Sequence, residues 1–123
     1  MAVSKTILVV DDSVTMRQMV AFTLTEAGFS VVEGENGQDA LSKLGSQAVH
    51  AIITDLNMPV MDGISFIQKV RAKGEYRFTP ILMLTTETQA EKKQQGKAAG
   101  ATGWIVKPFN PPQLLQVLAK VLP

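Results

Sequence analysis

Cysteine is absent from this chain of 123 residues, which excludes disulfides, thiolate metal sites and a cysteine nucleophile. Histidine is almost as scarce. The single copy, His50, precedes Asp55 by five positions, roughly 16 Å along an extended segment at about 3.3 Å per residue. Histidine chemistry at Asp55 would therefore have to come from another molecule. Long apolar runs are missing too: the first, Ile7 to Val10, is closed by Asp11 and Asp12, too short for a signal peptide or a membrane span. The expectation is a soluble, cytoplasmic protein with no membrane partner. No Gly-x-Gly-x-x-Gly follows the first run, and Gly96-Lys97 is followed by Ala98, so neither a dinucleotide fingerprint nor a P-loop is present. An excess of one charge is also lacking: twelve Lys and Arg face eleven Asp and Glu, net +1, which gives no reason to expect a nucleic-acid partner.

That balance hides a division. Residues 1–63 hold eight acids and three bases, net −5, whereas residues 64–123 hold three acids and nine bases, net +6. With 46% hydrophobic and 19% charged residues, the composition is that of a folded chain, and the length suits one domain over 1–123.

Short apolar runs alternate with helical patterns. Thr6 to Val10 reads as a buried strand; Met16, Val20 and Leu24 then repeat at helical spacing up to Gly28. Strands are expected at Ser30–Glu33, Ala51–Asp55, Ile81–Thr85 and Trp104–Val106. Helices are expected around Ala40–Leu44, from Ile64 to near Gly74, from a capping box at Thr88–Glu91, and after the Asn110 cap and Pro111. The helix after Thr88 has almost no apolar face. Its interior Gly96 costs about 1 kcal/mol relative to alanine, which marks the element as weakly held.

Five strands alternating with five helices imply a doubly wound α/β fold, a parallel sheet covered on both faces and joined by right-handed crossovers. Ligands of such sheets sit beyond the carboxyl ends of the strands, where strand order reverses. Those ends carry Asp11 and Asp12, Asp55, Thr85 and Lys107. Taken alone, an Asp-Asp pair after a strand is most simply a cap and turn, Met58 a gap filler, and Lys92, Lys93 and Lys97 a solvated face. Taken together, acids converging on one crevice repel one another unless a cation or protons neutralise them. An all-oxygen set favours a hard cation such as Mg²⁺, and a carboxylate beside a metal and a lysine is suited to accepting a phosphoryl group.

The segments Val-Val-Asp11-Asp12-Ser13, Asp55-Leu-Asn57-Met-Pro59-Val-Met-Asp62-Gly63, Leu84-Thr85-Thr86-Glu87 and Val106-Lys107-Pro108-Phe109, in this order and spacing, resemble the response-regulator receiver domains of two-component signalling. Because the sequence stops after the fifth helix, it is most similar to the stand-alone chemotaxis receivers, which carry no output domain. The resemblance, rather than the residues themselves, implies the flavodoxin-like (βα)5 strand order 2-1-3-4-5. It also implies Asp55 as phosphoacceptor, with the phosphoryl group supplied by a sensor histidine kinase. Asp11, Asp12, Asp55 and the backbone carbonyl of Asn57 would hold Mg²⁺. Lys107, followed by a cis peptide to Pro108, and the Thr85 hydroxyl would bind phosphoryl oxygens.

The aromatic switch position, Tyr or Phe in most relatives, is Trp104 here, and its indole N–H needs a partner when buried. The resemblance makes the chain a signalling domain rather than an enzyme, monomeric, served by a possible phosphatase and docking on the flagellar motor switch through its fourth helix, fifth strand and fifth helix. Relay intermediate, phosphate sink and regulator of a non-flagellar enzyme are the alternatives. A haloacid-dehalogenase-like phosphatase would need an Asp-x-Asp pattern after the first strand, and position 13 is Ser.

Overall fold

The computed structural model describes residues 5–45 and 48–122. Across them β1 (Thr6–Val10), β2 (Ser30–Gly34), β3 (Ala51–Thr54), β4 (Ile81–Thr85) and β5 (Gly103–Val106) form one parallel sheet in the order β2-β1-β3-β4-β5. The crossovers are α1 (Val14–Glu26), α2 (Gly37–Leu44), α3 (Gly63–Ala72) and α4 (Ala90–Ala99), and α5 (Pro111–Val121) closes the fold. The expected architecture and strand order are therefore present. Among the described residues no helix is long and apolar enough to cross a membrane.

Alternation of side chains along each strand separates two cores. Leu8, Val10, Ile52, Ile81 and Met83 face α2 and α3, where Ala40, Leu44, Phe66, Ile67 and Val70 are buried. Ile7, Val9, Ile53, Leu82 and Leu84 face α1 and α5 and meet Val20, Leu24, Leu114 and Leu118. Burial on both faces explains why β1, β3 and β4 read as continuous apolar runs.

Four of the five α-helices begin with a side-chain cap. The Oγ of Ser13 and the Oδ1 atoms of Asn36, Asp62 and Asn110 accept the N–H groups of Met16, Asp39, Ser65 and Gln113 at 3.2, 2.9, 2.8 and 3.2 Å. The capping box expected at Thr88–Glu91 does not form. α4 begins at Ala90, and its N-cap, Gln89, makes no side-chain cap bond. The carboxylate of Glu87 takes the Gln89 N–H at 3.2 Å, so the chain is still in a turn where the pattern would start a helix.

The other end of α4 is held from α3. Gly100 terminates the helix at φ +119°, where a Cβ would stand 2.8 Å from Arg71 Nε. Arg71 donates to the Gly100 carbonyl from Nε and Nη2 at 3.2 and 2.8 Å, and from Nη1 to the carbonyls of Tyr76 and Thr79 at 2.7 Å each. Burial pushes this guanidinium below its ordinary pKa, but arginine remains charged in proteins. The buried Tyr76 hydroxyl donates to the Leu44 carbonyl at 2.9 Å. Arg71→Ala is expected to lower the unfolding free energy in urea by about 2–4 kcal/mol, with Arg71→Lys recovering only part, because several charge-assisted bonds to backbone carbonyls are lost together.

Candidate functional site

Strand register builds the site. Val10 and Thr54 are partners across β1 and β3, and the Asp55 N–H donates to the Val10 carbonyl at 3.0 Å. The next residue of each strand, Asp11 and Asp55, therefore emerges beside the other at the point where strand order reverses. On the far side, the Lys107 N–H donates to the Thr85 carbonyl at 2.9 Å, which brings the β5 end level with the β4 end.

Each acid is also tied locally. Asp11 Oδ1 accepts the Ser13 N–H at 2.9 Å, forming the turn from which α1 starts, and Asp55 Oδ1 accepts the Leu56 N–H at 2.7 Å. The cap-and-turn reading of Asp11 is thus correct for one of its oxygens. The other oxygens face the cleft. Lys107 Nζ donates to Asp11 Oδ2 at 2.8 Å and to Asp55 Oδ2 at 2.9 Å, with all three side chains at most 10% exposed. Burial opposes the charge on Lys107, but its hydrogen bonds and attraction to Asp11 and Asp55 outweigh that and hold its pKa above the ordinary lysine value. The ammonium is therefore protonated throughout the physiological range.

Asp12, exposed at the rim, completes the group: one carboxylate oxygen from each of Asp11, Asp12 and Asp55 lies within 4.8 Å of the others. Three carboxylates against one ammonium leave a deficit of two charges. An all-oxygen donor set with that deficit fits a hard divalent cation, and Mg²⁺ in particular takes one or two carboxylates and keeps several waters.

The remaining predicted residues lie around this centre. Thr85 is fully buried at the end of β4, and its Oγ1 accepts the Glu87 N–H at 3.3 Å. Asn57 is exposed in the β3–α3 loop. The Lys107–Pro108 bond is cis, as the resemblance implied. Trp104, half-buried on β5, is linked to Thr85 through Glu87, whose carbonyl accepts the indole Nε1–H at 3.1 Å. The partner that a buried indole needs is therefore main chain.

His50 lies at the opposite end of β3, its Nδ1 accepting the Thr6 N–H at 2.9 Å. Sequence reasoning missed Arg17. Its Nη1 donates to the Asp11 carbonyl at 2.7 Å and its Nε to Glu33 at 3.0 Å, clamping the loop that presents Asp11 and Asp12. Only its position one turn into the helix after Ser13 pointed there.

This charge arrangement predicts opposite signs for two substitutions. Asp12→Ala should raise stability in the absence of divalent cation by up to about 1 kcal/mol through relief of like-charge repulsion, and should abolish most of the thermal stabilisation by Mg²⁺. Lys107→Met should lower stability in chelator and enlarge the Mg²⁺-induced rise in melting temperature, because the ammonium and the cation would offset the charge of the same carboxylates. Melting curves with and without Mg²⁺ measure both.

Comparison with known proteins agrees with this geometry. The family model described as the response regulator receiver domain matches residues 7–119. Chemotaxis protein CheY1 of Helicobacter pylori is 42% identical over 118 residues, covering 94% of this chain and 95% of that protein. The solved structure of the Vibrio cholerae chemotaxis protein CheY4 superposes with a TM-score of 0.94 at 54% identity, covering 98% of this chain and all of that one. The receiver domain of the Pseudomonas aeruginosa sensor histidine kinase PA1611, solved with a magnesium ion in its active-site cleft, gives a TM-score of 0.89 at 27% identity over 97% of this chain and 98% of its own. With aspartates at the switch point, a lysine bridging two of them and relatives of the chemotaxis type along nearly its whole length, the chain belongs to the response regulator receiver domains, the CheY-like signalling modules of phosphorelays.

Proposed function

We propose that Asp55 accepts a phosphoryl group from a phosphohistidine on a sensor histidine kinase. A carboxylate oxygen attacks phosphorus, the phosphorus–nitrogen bond breaks with its electrons leaving on the imidazole, and an acyl phosphate remains on Asp55. The observation that carries this reading is Lys107 Nζ lying 2.8 and 2.9 Å from Asp11 and Asp55, because an ammonium there can follow the negative charge onto a phosphoryl oxygen. Asp11, Asp12, Asp55 and the Asn57 carbonyl would hold Mg²⁺, which when bound offsets charge on the phosphoryl oxygens. Lys107 orients the acceptor before transfer, and Arg17 keeps the Asp11 loop in place. The chain promotes only its own phosphorylation and dephosphorylation and otherwise acts as a signalling domain.

Output follows from Thr85. When its hydroxyl turns to a phosphoryl oxygen it gives up the Glu87 N–H, and the loop that accepts from Trp104 is released. That shifts a pre-existing equilibrium of the α4–β5–α5 surface toward a target-binding state. The target is the flagellar motor switch, reached by a monomeric receiver in the cytoplasm, with a phosphatase as the further partner. The chemotaxis relatives support this assignment.

Wild type treated with a phosphohistidine kinase domain and Mg²⁺ should incorporate phosphate, while Asp55→Ala and chelator-treated wild type should fall by at least about 100-fold. Transfer to Asp55→Ala at the wild-type rate would overturn the site. Phosphorylated protein that fails to bind a motor-switch peptide would remove the motor role and leave a relay or phosphate sink.

The intrinsic fluorescence of Trp104, the single tryptophan, should also change on phosphorylation. An unchanged spectrum with Asp55 modified would contradict the switch.

A further inference from the structure

α4 has little with which to grip the sheet. Of its ten residues only Gly96 is fully buried, and glycine is the poorest helix former after proline. Yet a Cβ added at Gly96 would stand 2.7 Å from Trp104 Cζ3 and 3.6 Å from Cε3, where carbon atoms prefer about 3.5–4.0 Å. The outer edge of the indole occupies the place of a side chain on α4. The opposite edge of the same ring holds the Glu87 carbonyl at 3.1 Å through Nε1. One rigid group on β5 thus touches both α4 and the loop that leads into it. The C-terminal end of α4 is fastened by Arg71 on the Gly100 carbonyl, whereas its N-terminal end has no side-chain cap bond.

We infer that Gly96 is a positioning residue of the switch: its bare Cα seats the Trp104 indole on α4, and a change at Thr85 reaches the helix through that contact. The seat is required by the larger indole, so Gly96 and Trp104 form a matched pair. The inference rests on the proposed role of Thr85 and Trp104, but the packing it describes can be measured without phosphorylation.

Elsewhere inside a helix, glycine to alanine raises stability. Gly96→Ala is expected to do the reverse, lowering the melting temperature and shifting Trp104 emission to the red as the ring is displaced. With Trp104→Phe, whose ring lacks the outer indole edge, the same substitution should raise the melting temperature. Phosphorylation with acetyl phosphate and Mg²⁺ supplies the functional readout. Incorporation at Asp55 should agree with wild type within about twofold in Gly96→Ala, while the accompanying change in hydrogen exchange across residues 90–99 falls by about tenfold and returns in Gly96→Ala/Trp104→Phe.

A rise in melting temperature in both backgrounds would overturn the seat. A hydrogen-exchange response of wild-type size in Gly96→Ala would overturn its role in transmission. Wild type that takes up no phosphate would overturn that role together with the proposed function, and the sign of the melting shift then separates this failure from a failure of the packing.

Discussion

Carboxylates brought to one end of a parallel sheet repel one another, and the arrangement around Asp55 depends on how that repulsion is met. Asp11 and Asp55 are both buried, where two unpartnered charges would be costly. The Lys107 ammonium between them gives each a partner, and the N–H groups of Ser13 and Leu56 satisfy the remaining oxygens. Asp12 stays at the rim in contact with water. The result is a site in which the buried acids are partnered yet which keeps a net charge of −2, and so fits a divalent cation.

The fold supplies the means of bringing those charges together. Because β3 pairs with β1 on the side opposite β2, the two strands at the reversal end level with each other, and one hydrogen bond from the Asp55 N–H to the Val10 carbonyl fixes the spacing of the two acids. The same end-to-end alignment of β4 and β5 sets Thr85 beside Lys107. From Thr85 the connection outward runs through main-chain groups of Glu87 to the indole of Trp104 and on to α4. Loops and strand ends here present the acids and Lys107, while the two cores beneath them hold the strand ends in place.

Much of this was legible in the residues. Short apolar runs marked the strands, most plainly β1, β3 and β4, because a central strand buried on both faces has few polar residues to break the run. Asp11, Asp12, Asp55, Thr85 and Lys107 were identifiable because each lies at the carboxyl end of an expected strand. Local polar signals were less dependable. The Asn110 cap formed, whereas the Thr88 pattern failed because Glu87, just before it, captured the Gln89 N–H. Gly96 has a second aspect that its own helix does not reveal: the space beside it is filled by Trp104, eight residues further on, on β5.

By itself, then, the sequence determined the elements, their alternation and the acidic and basic residues at their ends, since these follow from short-range periodicity and from where each apolar run stops. Tertiary structure decided what those residues do to one another. Lys107 bridging Asp11 and Asp55 across 96 and 52 positions, Arg17 gripping the Asp11 carbonyl, Arg71 tying α3 to the end of α4 and Trp104 resting on Gly96 all depend on groups meeting from different elements. Such contacts are set by strand register and packing, which no local pattern of residues encodes.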